Sequence, residues 1–324
     1  MLNINHLSVA FRENHGKLKT VVNDISINIH QSEVVALLGE SGCGKSVTAL
    51  SILNLIKKPG EITEGTILYK GQSILTLTKK AMQTVRGKEI TMIFQEPMTA
   101  LNPSLSIGFQ LYEAINIHNK LSKAEIKKKV LDILRSVKIA NAKDILKSFS
   151  YELSGGLRQR IMIAMALINA PSLLIADEPT TALDVTIQAE ILKLLIEKKE
   201  EKKLSMLFIS HDLGVVSNIS DRIYVMYAGK IVETATNDEL FKNPMHPYTK
   251  ALIKAYPKKV NKSDNITLYS LRGNVIDDLE NISKGCVFKE RCDFAKELCF
   301  NKVPELFKFQ GEHYSACFKS KGII

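Results

Sequence analysis

The chain has 324 residues, of which 45% are hydrophobic, and its formal net charge is +10. This length accommodates one large domain and a smaller one, and the apolar content excludes a disordered protein. The longest apolar runs are about half as long as a bilayer-spanning helix, and residues 1–6 have neither the basic nor the apolar region of a signal peptide. We therefore expect a cytoplasmic protein.

The positive charge does not by itself indicate nucleic-acid binding. The lysines are spread along predicted helices, often beside glutamates, and no repeat of basic and aromatic residues accompanies them. Solvated helix faces explain this pattern, and proximity to an anionic membrane surface would also favour it. We expect no nucleic-acid partner.

Apolar and polar positions alternate through much of the first 30 residues, as in Leu7, Val9 and Phe11. This period of two predicts antiparallel strands ahead of the first parallel strand. Phe11 precedes the loop at residues 12–19, where its ring could stack on a nucleobase or remain a half-buried part of a strand.

A glycine-rich loop follows the apolar run at residues 34–38 and leads into a helical pattern. It fits G-x-x-x-x-G-K-[ST] at every required position, and its members are Gly39, Glu40, Ser41, Gly42, Cys43, Gly44, Lys45 and Ser46. Backbone N–H groups of such a loop and the helix N-terminus attract phosphate oxygens. Lys45 would neutralise the β- and γ-phosphates, and the Ser46 hydroxyl would ligate Mg²⁺. The sequence therefore predicts a nucleoside triphosphate site.

A second polar position lies at the end of a later strand. The apolar run at residues 90–94 leads directly into Gln95. Ligands of open α/β sheets bind at this carboxyl edge, so Gln95 is a candidate site residue. A helical insertion is predicted after it, in which Ser122 and Glu125 form a capping box at the start of an amphipathic helix.

The sequence Ser154, Gly155, Gly156 opens the next predicted helix. Free N–H groups at a helix N-terminus suit an anion, so these residues are candidates for a second phosphate contact. The alternative is a glycine-rich helix cap with no ligand.

Acidic residues end the next apolar strand, and a histidine follows the last one. Asp177 and Glu178 are placed to hold Mg²⁺ and to deprotonate an attacking water. Asp184 precedes another helix, and His211 comes directly after the strand at residues 205–210.

In this order, the motifs closely resemble those of the ATP-binding subunits of ABC transporters, over about residues 1–240. The resemblance implies an α/β fold of the ABC type of P-loop NTPase, with a RecA-like core and an antiparallel β subdomain. Its nucleotide-binding domain would span residues 1–242, with a helical subdomain at about 99–160. One departure is Leu157, where most of the superfamily has glutamine; several importer branches have an apolar residue there.

The resemblance also implies roles for the motifs. Residues 39–46 are the Walker A loop and Ser154, Gly155 and Gly156 the signature, which contacts the ATP held by a second subunit. Asp184 is the D-loop aspartate and would also contact the nucleotide. Mg²⁺ would be held by Ser46, Gln95 and Asp177. Catalysis would depend on Glu178 as general base, His211 at the γ-phosphate and Gln95 as the link to the membrane partner.

The last 80 residues add a second resemblance. Residues 243–252 and 271–275 are similar to the C-terminal extension of dipeptide and oligopeptide importer ATPases, which we place at 243–324. Its four cysteines, spaced C-x5-C-x6-C-x17-C, are Cys286, Cys292, Cys299 and Cys317. In a reducing compartment such a cluster favours a metal site over disulfides. The resemblance implies a [4Fe–4S] cluster, with zinc or free thiols as alternatives.

The function that these resemblances imply is ATP-driven peptide import. The chain would act peripherally at the cytoplasmic face of the cell membrane, with a second ABC ATPase subunit in a heterodimer. Two membrane permeases and an extracytoplasmic peptide-binding protein would complete the system. Nickel or other metal chelates, glutathione and cationic peptides are alternative cargoes. A soluble ABC ATPase acting on nucleic acid, or a redox sensor, is a more distant alternative.

If Glu178 is the general base, replacing it by glutamine removes the proton acceptor and leaves the shape of the side chain. We expect Glu178→Gln to slow ATP hydrolysis by roughly 10²–10⁴-fold in a steady-state phosphate-release assay. A variant that hydrolyses ATP at the wild-type rate would reject this role.

Overall fold

The computed structural model describes residues 1–13, 17–96, 100–181, 183–256 and 284–324. Two compact units are present. The first comprises Met1–Ile29, Val34–Leu75 and Ser210–Ile324, and the second comprises His30–Glu33 and Thr76–Ile209. Residues 271–275, which contribute to the predicted C-terminal resemblance, lie outside the described residues.

The described residues form the following strands and helices. The strands are β1 (Leu2–Arg12), β2 (Leu18–Ile29), β3 (Val34–Leu38), β4 (Gly60–Tyr69), β5 (Gln72–Ser73), β6 (Ile90–Ile93), β7 (Leu173–Asp177), β8 (Ser205–Ser210), β9 (Arg222–Tyr227), β10 (Lys230–Thr236), β11 (Phe307–Lys308) and β12 (Tyr314–Ser315). The helices are α1 (Lys45–Ile52), α2 (Lys79–Val85), α3 (Ile107–Asn116), α4 (Lys123–Ser136), α5 (Ala142–Ile145), α6 (Gly155–Leu167), α7 (Val185–Lys202), α8 (Leu213–Ile219), α9 (Asn237–Lys242), α10 (Pro247–Ala255) and α11 (Glu297–Asn301).

The first unit contains an antiparallel sheet in the order β2, β1, β4, β5. Leu2 lies opposite Ile29 and Ile4 opposite Ile27, so the apolar positions of β1 and β2 share one face. These side chains are fully buried. The antiparallel strands that the alternation predicts are therefore present, and the structure shows which face they bury.

A second set of strands in the first unit carries the glycine-rich loop. Its order is β11, β12, β10, β9, β3, and β3 runs parallel to β9. All five residues of β3 are buried, which is why this strand is continuously apolar rather than alternating. β10 and β12 are antiparallel, so the described C-terminal residues add strands to the same sheet.

The second unit combines three parallel strands with helices. β6 pairs with β7 and β7 with β8. The capping box of α4 is present: Ser122 N–H donates to Glu125 at 2.8 Å, and Ser122 Oγ accepts from Glu125 N–H at 3.4 Å. Helices α3 to α6 lie between Ile107 and Leu167.

Within the described residues, no helix has both the length and the apolar character needed to span a bilayer.

Candidate nucleotide-binding site

The glycine-rich loop folds around the ammonium group of Lys45. Lys45 is only 5% exposed. Its Nζ donates to the carbonyl oxygens of Gly39 and Glu40, both at 2.8 Å. A buried ammonium requires such partners, since desolvating a charge without hydrogen bonds is very unfavourable. The loop therefore turns the carbonyl groups of Gly39 and Glu40 towards the lysine.

Two glycines make this turn possible for different reasons. Gly44 has a φ of +108°, and a Cβ there would lie 2.8 Å from the Val21 carbonyl oxygen. At Gly39 a Cβ would overlap the backbone carbonyl of Met226 in β9. The loop thus passes so close to the neighbouring strand that it has no room for side chains at these positions.

The remaining loop residues differ in exposure. Ser41 and Gly42 are exposed, and Ser46 is half-buried in the first turn of α1. Cys43 is buried, and its burial raises the pKa of the thiol, an effect that nearby Lys45 partly offsets. A buried, protonated thiol is a poor nucleophile. The structure thus gives Cys43 a packing role.

In the second unit, two residues predicted separately meet at the carboxyl edge of the parallel strands. Glu178 follows β7 and is 9% exposed. Its Oε2 accepts from Gln95 Nε2 at 3.1 Å and from Thr181 Oγ1 at 2.9 Å. Its backbone N–H donates to the carbonyl of Ile209 at 3.0 Å. The carboxylate is therefore held in a fixed direction.

The backbone of Glu178 is itself unusual. Its φ of +46° is a left-handed conformation that non-glycine residues rarely adopt. Such strain persists only where surrounding contacts enforce it, and it is concentrated at functional sites. Asp177, the preceding residue, is buried at the end of β7.

Sequence reasoning missed two aspects of this arrangement. It assigned Gln95 to Mg²⁺, but did not foresee that the Gln95 amide donates to Glu178. It did not single out Thr181 as a partner of the carboxylate. The spacing of Thr181 three residues after Glu178 was the available signal.

His211 follows β8 and is exposed, while the residues on either side of it are fixed. Ser210 Oγ accepts from the Asp212 N–H at 3.0 Å. Asp212 in turn caps α8, because its Oδ1 accepts from Gly214 N–H at 2.7 Å and from Val215 N–H at 3.2 Å. The backbone at His211 is thus anchored on both sides, with its imidazole at the surface.

The predicted signature residues begin α6. Ser154 is the helix N-cap, with its Oγ accepting from Leu157 N–H at 3.4 Å. Ser154 and Gly155 are exposed, and Gly156 lies against Ile187, where a Cβ would approach a methyl group at 3.1 Å. The cap residue and Gly155 are exposed at a helix N-terminus, so the capping role does not exclude an anion contact.

Asp184 and Phe11 have structural roles that the sequence left open. Asp184 is the N-cap of α7, and its Oδ1 accepts from Ile187 N–H at 2.9 Å. Phe11 is half-buried in β1, opposite Gly60, where a Cβ would lie 2.6 Å from the Phe11 ring. Nucleotide contacts of both residues stay predictions.

The four C-terminal cysteines line one cavity of about 20 Å³. All are free thiols. The pKa of Cys286 is raised to about 12, mainly by burial and to a smaller extent by the neighbouring thiols of Cys299, Cys292 and Cys317. Across the described part of the chain, however, no three His, Cys, Asp or Glu side chains form a group that could hold a metal ion. The thiols are thus close together but not in ligating positions, and the predicted metal motif is not supported.

His313 supports this segment from outside the cavity. Its Nε2 lies 2.7 Å from Glu233 Oε1, and both side chains are buried. The same carboxylate accepts from the N–H groups of Met245 and His246 at 2.6 Å and 2.9 Å. This network joins His313, directly before β12, to Glu233 in β10.

Comparison with known proteins assigns this architecture to a family. Residues 22–181 match the family described as ABC transporter, and residues 232–299 match the oligopeptide/dipeptide transporter C-terminal region. The oligopeptide transport ATP-binding protein OppD of Bacillus subtilis is 44% identical over 315 residues, which cover 97% of this chain and 87% of OppD. A probable peptide ABC transporter ATP-binding protein of Sinorhizobium fredii is 46% identical over 301 residues, 93% of this chain and 89% of that protein.

Solved structures of ABC transporter proteins have a similar fold. A dimeric bacterial ABC transporter cassette, MJ0796, is 25% identical with a TM-score of 0.66, covering 73% of this chain and 99% of that one. The ABC transporter component cbiO1 of Clostridium perfringens is 28% identical with a TM-score of 0.64, covering 75% and 90%. The fold and the glycine-rich loop at residues 39–46, called the phosphate loop below, thus define an ABC ATPase. The chain belongs to the ATP-binding proteins of ABC transporters, in the branch that carries the oligopeptide/dipeptide transporter C-terminal region.

Because Gly39 lies against the Met226 carbonyl, we expect Gly39→Ala to displace the loop and lower ATP affinity by at least about tenfold. Binding of a fluorescent ATP analogue measures this. The control is Gly71→Ala, between β4 and β5, where a Cβ meets open space and adds only left-handed strain of about 1–2 kcal/mol. Unchanged ATP affinity in Gly39→Ala would contradict the packing argument.

Proposed function

We propose that the chain is the ATP-hydrolysing subunit that powers uptake of di- and oligopeptides across the cytoplasmic membrane. The observation that carries this proposal is similarity over nearly the whole chain, C-terminal region included, to oligopeptide transport ATP-binding proteins. The loop that encloses Lys45 and the oriented carboxylate of Glu178 supply the chemistry that ATP hydrolysis needs. We retain residues 1–242 and 243–324 as the proposed domains, with the helical subdomain at about 99–160.

Lys45 and the loop N–H groups are proposed to bind the ATP phosphates. Ser46, Gln95 and Asp177 offer hydroxyl, amide and carboxylate oxygens, the donor types that Mg²⁺ prefers, so these residues fit the metal in chemistry. When bound, Mg²⁺ would neutralise charge on the phosphates. His211, exposed between two anchored residues, is proposed to contact the γ-phosphate.

Glu178 is proposed to take the proton of the attacking water as the water oxygen bonds to the γ-phosphorus and ADP leaves. Its Oε2 is engaged by Gln95 and Thr181, which limits rotation of the carboxylate. A fixed acceptor places the proton-accepting oxygen before the reaction rather than during it. Gln95 is therefore also placed to transmit a change in its loop to the base.

The partners that we propose are those of an importer. Ser154, Gly155 and Gly156 present exposed or half-buried N–H groups at the start of α6, which suits the ATP of a second ABC ATPase subunit. We propose a heterodimer of two such subunits, two membrane permeases and an extracytoplasmic peptide-binding protein. The chain would then be peripheral at the cytoplasmic face of the cell membrane.

A strain lacking this chain tests the cargo. Its growth is measured with peptides as the sole source of a required amino acid, in a background without another peptide importer. We expect no growth on peptides and normal growth on the free amino acid, because import stops when ATP hydrolysis stops. Normal growth on peptides would contradict peptide import and direct attention to metal chelates or glutathione. Complementation with Lys45→Ala is the matched control, and it should not restore growth.

We also propose that Cys286, Cys292, Cys299 and Cys317 hold a [4Fe–4S] cluster with a structural role. In favour are their four thiols around one cavity and a spacing unlike that of zinc ribbons. A cavity of about 20 Å³ admits roughly one water molecule, so the segment must open to accept a cluster. Ligation must also displace the proton of Cys286, whose pKa burial raises to about 12.

Anaerobic purification tests the cluster. We expect iron together with visible charge-transfer absorption, retained in Cys43→Ser and lost in Cys299→Ser, since Cys43 lies in the phosphate loop and outside the cavity. Protein with neither iron nor this absorption would reject the cluster. Zinc in its place would support the alternative metal.

A further inference from the structure

We propose that Arg291, in the cysteine-bearing segment, is a positioning residue that fixes the phosphate loop for ATP through Glu40. The inference rests on the proposed function, since it concerns how this loop binds nucleotide. It assigns a task to a residue that is 251 positions away from Glu40 in the sequence.

The first contact is an ion pair. Arg291 Nη1 lies 3.0 Å from Glu40 Oε2 and 3.2 Å from Oε1, and it also donates to the Tyr227 hydroxyl at 3.3 Å. The Arg291 side chain is 7% exposed and that of Glu40 27%. Such a pair is shielded from solvent, so it is weakened less by salt than a surface pair. Its charge-assisted hydrogen bonds are among the stronger ones in proteins.

The second contact fixes the backbone of the same loop residue. Glu40 N–H donates to the Tyr248 hydroxyl at 3.1 Å. The Tyr248 ring packs on Tyr227 and Phe288, with centroid distances of 4.7 Å and 5.4 Å. Phe288 lies between Cys286 and Arg291, so the same short segment supports both contacts to Glu40.

The third contact leads to the phosphate-binding residue. The Glu40 carbonyl accepts from Lys45 Nζ at 2.8 Å. The carboxylate, N–H and carbonyl of Glu40 are therefore all engaged, two of them by residues of the C-terminal half. Removing the contact between Arg291 and Glu40 would make the phosphate loop more mobile, and ATP binding would then have to order the loop again.

Hydrogen bonds within the cysteine-bearing segment, residues 286–299, surround Arg291. A 3₁₀ turn, Lys289–Arg291, lies between two of the cysteines. Lys289 N–H donates to the Cys286 carbonyl at 3.2 Å, and Cys292 N–H donates to the Lys289 carbonyl at 3.4 Å. Rearrangement of the thiols would thus move Arg291, and through it Glu40. The C-terminal segment acts on the affinity of the phosphate loop for ATP.

A purely structural ion pair would hold the segment in place without affecting ATP. The two roles differ through thermodynamic linkage: if the segment favours ATP binding, ATP must stabilise the segment to the same extent. Hydrogen exchange of residues 286–299 in the unaltered full-length chain, with and without MgATP, measures this directly. We expect slower exchange with MgATP.

Variants then isolate the contact. We expect Arg291→Gln and Glu40→Gln each to raise the dissociation constant for MgATP about tenfold, since each removes a charge from the pair. The double variant should also show about tenfold, because one interaction is lost only once. Arg291→Lys, which keeps the charge, should recover most of the affinity. Glu290→Gln, the exposed neighbour in the same turn, should bind as the wild type does.

The outcomes are separable. One outcome is that the wild-type chain binds MgATP, that Arg291→Gln and Glu40→Gln bind it with the same affinity, and that MgATP does not change hydrogen exchange at residues 286–299. This outcome would overturn the positioning role and leave the proposed ATP site in place. Additive losses in the double variant would also overturn it. A wild-type chain that binds MgATP no better than Lys45→Ala would instead reject the proposed ATP site, and the inference with it.

Discussion

The two hydrogen bonds from the Lys45 ammonium to the carbonyls of Gly39 and Glu40 are the constraint on which the phosphate loop depends. A buried cation must be surrounded by acceptors, so the loop has to turn its carbonyls inward. This turn leaves no space for a side chain at Gly39, because the loop passes directly against β9. The charge of Lys45 therefore dictates the shape of the loop.

A comparable constraint operates in the second unit. Glu178 is held in a left-handed backbone conformation, while Gln95 and Thr181 engage one of its carboxylate oxygens. A strand end that forces an acidic side chain into one direction is suited to a general base, because the proton acceptor does not have to be oriented anew in each reaction cycle. The same contacts connect Glu178 to Gln95, which follows β6.

The C-terminal segment belongs to the first unit and is tied to it by buried polar contacts as well as by apolar packing. Glu233 accepts from two backbone N–H groups and pairs with His313, so that removing Glu233 would leave the buried His313 imidazole and the His246 N–H without this acceptor. Through Arg291 the same segment reaches the phosphate loop. The region that the sequence predicts to be a C-terminal extension is thus part of the structure around Lys45.

The sequence alone determined the elements whose signals are local. The glycine-rich loop between a buried strand and a helix, the capping box at Ser122 and the acidic end of β7 each follow from spacings within a few residues. Tertiary structure alone decided the pairing of Gln95 with Glu178, across 83 residues, and of Arg291 with Glu40, across 251. It also placed the four C-terminal thiols around one cavity of about 20 Å³. These contacts depend on which strand ends and surfaces the folded chain brings together, and periodicity within one segment carries no information about that.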